Sequence, residues 1–328
     1  MATAQPSLFD SAPALPLQRW WRLQGQARRA GRRIEPLLVT PRFLARIDAA
    51  VCPVTRTSIG PRAGRVVALR DDASLAAGHL VTLGPAAAPV AGGRWQDAWA
   101  AAERRDAAGA VACEQALDAA AWRRLAVLRS FVQAPTPAEA ATLPLLVLPP
   151  NRLRVLSPVQ GLQVATTLAL RDRDRVQRLT HLVTLAADED TRQALRLFAL
   201  TLLARRPVNL DLRTRQETRQ ALEDLWADPL LQRRWQRLAL RLSDTVAGQL
   251  LVRARAAACL GAGWRPLDAG FAVDGWDAPA RPAQPGMRAK STHDDLAPLA
   301  TSRLAGPFLA PVRRRQRADA GAAAAVGV

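Results

Sequence analysis

Val51-Cys52-Pro53-Val54-Thr55, then Arg65-Val66-Val67-Ala68-Leu69-Arg70-Asp71-Asp72, then Ala76-Ala77-Gly78-His79-Leu80-Val81-Thr82-Leu83 are the runs within residues 51–99 on which the reading of this chain turns. β-Branched and apolar residues between Gly and Pro punctuation mark extended structure. The first run is a Cys-Pro-x-Thr corner, closed by the Gly60-Pro61 turn. The second is extended and ends on an aspartate-bearing turn, and the third is a strand entered through Gly78-His79. They predict a small α+β unit in a chain that reads otherwise as helix.

On the N-terminal side, Gln18–Arg33 reads as a short amphipathic helix broken at Gly31, with Trp20, Trp21 and Leu23 on its packed face. Leu37–Val39 is expected as a strand and Pro41–Ala50 as a helix with Pro41 in its first turn. On the C-terminal side, Trp95–Ala108 and Cys113–Val132 read as two helices, with Trp95 and Trp99 packed inward. The prolines of Leu143–Leu156 forbid a central helix and predict an extended connector. Its Asn151, Arg152 and Arg154 could line a groove, although a solvated turn is the preferred reading.

From Val159 to Cys259 helical punctuation dominates. Asp190 is expected to cap a helix bearing Leu195, Phe198 and Leu202, and Thr214 with Glu217 reads as a capping box. Asp228-Pro229 is expected to open one long helix reaching Gly261, because Leu231, Trp235, Leu238, Leu242, Val246 and Leu250 recur every three or four positions. The expected organisation is a flexible tail (1–17), an α+β unit with flanking helices (18–134), a Pro-rich extended connector (135–158), an Arg-rich helical domain (159–263) and a disordered basic tail (264–328).

The 51–99 runs resemble the spine of HNH-type nuclease domains, which are small ββα modules. The family pattern is Cys-Pro-x-Thr, Ser-x-Asp-Arg, a Gly-Asn pair and a closing Asn. Laid on this chain without gaps, the acidic position falls on Val67, the Gly-Asn pair on Gly78-His79 and the closing Asn near Ala88. The resemblance therefore implies a degenerate unit, ββα-like, with neither a catalytic residue nor a metal expected. Were it a divergent nuclease, Asp71, Asp72 and His79 would have to hold a magnesium or manganese ion and an activated water. A hydrogen-bonded histidine at a strand entry is the preferred reading of His79. Cys52 has no cysteine at zinc-knuckle spacing, so a structural zinc is not expected.

Charge supplies the second line of argument. The net charge is +18, and every basic residue except Lys290 is arginine. High-GC coding habit raises arginine, alanine, proline and glycine together, but it does not explain why acids fail to balance the arginines. The excess is +5 over residues 1–50, +2 over 51–150, +8 over 151–260 and +3 beyond. Such an excess favours a polyanionic partner, of which nucleic acid is the commonest.

Two arginine groups carry the expectation of DNA binding: Arg28, Arg29, Arg32 and Arg33 beside the tryptophans, and Arg233, Arg234, Arg237, Arg241, Arg253 and Arg255 along the expected long helix. Gln5-Pro6-Ser7-Leu8-Phe9 resembles the Gln-x-x-Leu-Phe peptide by which bacterial DNA-repair and replication proteins dock on the sliding clamp. That resemblance implies Leu8 and Phe9 as pocket anchors and Gln5 as a rim hydrogen bond.

The cysteines Cys52, Cys113 and Cys259 are odd in number and far apart, which points to a reducing compartment. Asp10 and the early prolines interrupt any secretory core, and no apolar run reaches the ~18 residues that span a bilayer. A cytoplasmic, bacterial protein without a membrane partner is expected. The expected function is non-catalytic DNA binding in an accessory role to DNA maintenance or a mobile element. The alternatives are a divergent metal-dependent nuclease and a helical protein–protein assembly factor.

Overall fold

The computed structural model describes residues 14–60, 62–108 and 117–261, all within one compact unit. The chain is mainly helical, and its extended structure is one antiparallel pair, β1 (Arg65–Ala68) against β2 (Leu80–Leu83), among the described residues. The register sets Val66 opposite Thr82 and Val67 opposite Val81. Because side chains alternate along a strand, the ribbon has two apolar faces. Val66, Ala68 and Leu80 join a small core made by α1 (Leu15–Arg29) and α2 (Pro41–Arg46), including Leu23, Ala27 and Leu44. Val67, Val81 and Leu83 turn instead toward the main helical core, and every residue of β2 is buried. The hairpin is thus the partition between two cores.

Beyond the hairpin, α3 (Trp95–Ala108) packs along α4 (Ala119–Gln133), which starts on Asp118. The Arg129 guanidinium of α4 reaches back to the 90–94 turn, donating to the carbonyls of Val90, Ala91, Gly92 and Arg94. This one buried cation replaces the backbone partners that an irregular turn lacks. A short α5 (Pro137–Thr142) and the extended 143–156 connector lead into α6 (Pro158–Ala169), which is almost entirely buried, its Gln160, Gln163, Thr166 and Thr167 included. α7 (Arg173–Leu179) and α11 (Asp244–Ala256) pack against it, α8 (Glu189–Ala204) packs along α10 (Pro229–Ala239), and α9 (Arg215–Asp224) precedes that pair's second helix. Phe198, Trp226 and Trp235 meet at the centre, with ring centroids 5.3–6.3 Å apart, and the indole N–H of Trp226 donates to Thr167.

Several expectations are corrected. Leu37–Val39 is not a strand: residues 36–38 form a turn, only Ile34 bridges to Leu75, and Leu37 stands 82% exposed. Among the described residues no strand lies beside it, and Val39 O accepts instead from the Trp20 indole N–H at 3.2 Å. The expected 41–50 helix ends at Arg46. Asp188, not Asp190, caps α8, accepting from Thr191 N at 2.7 Å. The long helix from Pro229 is two helices, broken at residues 240–243, where Ser243 accepts from Val246 N and starts α11. Val246, counted in the apolar stripe, is 37% exposed, so the periodicity ran across a break. The Thr214–Glu217 capping box and the packed Trp95 are as expected. The expected tail from 264 onward lies outside the described residues.

Candidate functional site

Few of the sequence-selected arginines share a surface. Arg28 and Arg29 are exposed in the last turn of α1, and Arg33 is exposed just beyond. Arg32 turns inward, where its Nε donates to Ala73 O at 2.9 Å and an Nη to Arg70 O at 2.7 Å. Its guanidinium ties α1 to the aspartate-bearing turn rather than facing solvent. Arg233 donates to Pro229 O within α10, Arg241 pairs with Asp190 at 3.2 Å, and Arg253 donates to Leu185 O. Arg237 and Arg255 are exposed and Arg234 is half-buried. With the helix broken, these six do not lie along one axis.

A different group of arginines converges. Between α2, the 149–155 connector and the α6–α7 junction lies a groove of about 1180 Å³, lined among the described residues by Arg42, Arg46, Arg152, Arg154, Arg171 and Arg175 and by one acid, Asp172. Local sequence explains each placement. Thr40 caps α2, accepting from Phe43 N at 3.2 Å, and Pro41 fixes the first turn, so Arg42 and Arg46 are presented one turn apart on the same helix face. The connector turns at Asn151-Arg152, with Arg152 in the left-handed region at φ 70° and Leu153 N donating to Pro150 O. Arg154 N then donates to Gly78 O at 2.9 Å, seating the connector on the entrance to β2.

Two glycines give the groove arginines room. A Cβ on Gly78 would stand 2.7 Å from Arg154 Cδ, and one on Gly261 would stand 2.9 Å from an Arg175 Nη. Asp172 caps α7, accepting from Asp174 N, and meets Arg175 at 3.3 Å. Arg42, Arg46, Arg152 and Arg171 pair with no carboxylate among the described residues. The groove is also lined by apolar groups, with Leu37 and Leu38 exposed at its rim and Phe43, Pro149 and Pro150 half-buried. Arg152 and Arg154 therefore line a groove instead of a merely solvated turn. Arg42, Arg46, Arg171 and Arg175 were not singled out from the sequence. The available signals were the Arg42–Arg46 spacing behind a Thr-Pro cap and the alternation Arg171-Asp172-Arg173-Asp174-Arg175.

The HNH-like residues sit elsewhere. Asp72 takes two hydrogen bonds from Arg70, at 2.9 and 2.8 Å, which hold it below the usual carboxylate range. Asp71 is exposed and lies so close to Gly92 that a Cβ there would collide with it. His79 is buried, and its Nε2 accepts from Ala76 N at 3.0 Å, which puts the proton of the neutral ring on Nδ1. Burial, aided by the positive charges of Arg32 and Arg70, lowers its pKa to about 4. Among the described residues no three His, Cys, Asp or Glu side chains cluster as a metal site, and no helix is long and apolar enough to cross a membrane. The clamp-like Gln5, Leu8 and Phe9 lie outside the described residues.

Comparison of the chain with protein-family models, with curated proteins and with solved structures finds no match.

Proposed function

We propose that this chain is a non-catalytic nucleic-acid-binding protein, with DNA as its target, acting as an accessory in DNA maintenance or mobile-element biology. The observation that carries the reading is the groove in which, among the described residues, six arginines face one aspartate. Bringing like charges together is unfavourable unless a polyanion meets them, and phosphates accept from guanidinium in bidentate fashion. The net charge of +18 points the same way. The resemblance to a degenerate HNH unit and the clamp-like peptide supply the DNA-linked context, with the bacterial sliding clamp as a second proposed partner of a cytoplasmic protein.

Nuclease activity would need Asp71, Asp72 and His79 to act together with magnesium or manganese. The engagement of Asp72 by Arg70 and of His79 Nε2 by a backbone N–H supports the non-catalytic reading. Exposed Val208 and Leu212, within the segment between α8 and α9, favour the second reading, a helical assembly factor. Binding of labelled DNA across a salt series, with and without magnesium or manganese and followed by a cleavage gel, separates the three. Salt-sensitive binding with intact DNA is expected. Cleavage would favour the nuclease, and no binding even at low salt would leave the assembly reading.

A further inference from the structure

We infer that the groove accepts a single nucleic-acid strand and discriminates against a duplex. This rests on the nucleic-acid reading of the same groove and specifies its substrate. Shape is the first argument. Proteins that read duplex DNA insert a projecting helix or ribbon into its grooves. Here the arginines line a concavity, so a duplex can touch only its rim, whereas a strand can lie along it. The volume of about 1180 Å³ exceeds the ~300–1,000 Å³ of sites built for one small molecule and suits a run of linked units.

Chemical texture is the second argument. A duplex presents phosphates and hides the faces of its bases, so an apolar lining would gain nothing from it. A single strand presents both, and sites for it combine a basic track with surfaces on which bases stack. This groove has that combination. Phe43 lies between Arg42 and Arg46 on α2, and Pro149 and Pro150 stand on the connector just ahead of the Asn151-Arg152 turn and Arg154. Leu37 and Leu38, also in the lining, stand 82% and 48% exposed. Guanidinium planes also stack on bases, so an arginine with no carboxylate partner serves both purposes.

Arginine placement is the third argument. Arg42 and Arg46 stand on one wall, Arg152 and Arg154 on the connector and Arg171 and Arg175 on the other wall. Contacts to successive phosphates of a flexible strand need such spread positions, whereas one compact anion would need them gathered at a point.

The test is fluorescence anisotropy of the full chain with a labelled oligothymidylate and with a duplex of equal length at the same salt. The expected result is single-strand binding at least about tenfold tighter than duplex binding, with the log–log salt slope shallower per phosphate for the strand. Arg42→Glu with Arg171→Glu, both at exposed positions, should weaken strand binding by more than tenfold. Leu37→Ser with Leu38→Ser should weaken it several-fold and leave the salt slope unchanged, a signature that charge alone would not give. A charge reversal at an exposed position outside the groove, Arg104→Glu on α3, should change strand binding by less than twofold. Duplex binding equal to or tighter than strand binding, or strand binding indifferent to both groove pairs, would overturn the single-strand inference and leave DNA binding in place. Failure of both probes to bind at low salt would overturn the nucleic-acid reading itself.

Discussion

Substituting Gly78 by alanine tests how the hairpin positions the groove. A Cβ at Gly78 would stand 2.7 Å from Arg154 Cδ and 3.1 Å from its Cγ and Nε. Carbon atoms rest at about 3.5–4.0 Å, so the arginine stem would have to retreat by roughly 1 Å. The main chain beneath it is tied by Arg154 N donating to Gly78 O at 2.9 Å, so the movement falls on the side chain. Overpacking of this kind costs about 1–3 kcal/mol. Against it, alanine narrows the unfolded ensemble by about 0.4–1 kcal/mol, since Gly78 does not occupy a left-handed conformation. The expected net effect is a destabilisation of about 1 kcal/mol, read as a lower urea midpoint at constant slope. In an Arg154→Ala background the obstacle is gone, and Gly78→Ala should become neutral or stabilising by about 0.5 kcal/mol. The change of sign is the diagnostic feature. Equal destabilisation in both backgrounds would refute the claim that Gly78 exists to let the Arg154 stem pass.

Other expectations follow from particular groups. His79 has its folded pKa lowered from 6.5 to about 4 by burial, so the unfolded chain binds its proton first. The stability from keeping it neutral is complete above pH 6.5 and is lost as pH falls toward 4, by roughly 3 kcal/mol in all. Urea titrations over that range should show the slope, and His79→Gln should flatten it. Arg129→Met strands four carbonyls of the 90–94 turn and should cost about 3 kcal/mol or more in the same assay. Ser243→Ala removes the cap of α11 and should cost about 1 kcal/mol, whereas a single unbroken helix would tolerate it.

What could be read from the sequence was set by how local its physical cause is. The capping box Thr214–Glu217, the helix from Trp95 and the extended character of the segments that become β1 and β2 are written in neighbouring residues and were legible. The break at 240–243 was not, because Leu242 and Val246 keep helical spacing while Ser243-Asp244, the local cap signal, was passed over. Leu37 and Leu38 have strand composition without a strand beside them, which only tertiary placement reveals. The candidate site was the least legible part. Charge counting found the arginine excess and then favoured the densest local clusters. Arg32 proved to be committed to backbone carbonyls, and the groove draws instead on isolated arginines from α2, the connector and the start of α7. Convergence across more than a hundred residues of chain leaves no local pattern to read.

Salt-dependent binding of a labelled oligothymidylate, compared between the natural chain and Arg42→Glu/Arg152→Glu/Arg171→Glu, tests the central claim most directly. With about 0.7 counterions released per phosphate neutralised on a single strand, six groove arginines allow a log–log slope of up to about −4. The account predicts a slope of about −3 to −4 for the natural chain, and a variant that retains its urea midpoint but binds more than a hundredfold more weakly with a much shallower slope. A variant that binds with the affinity and slope of the natural chain would contradict it.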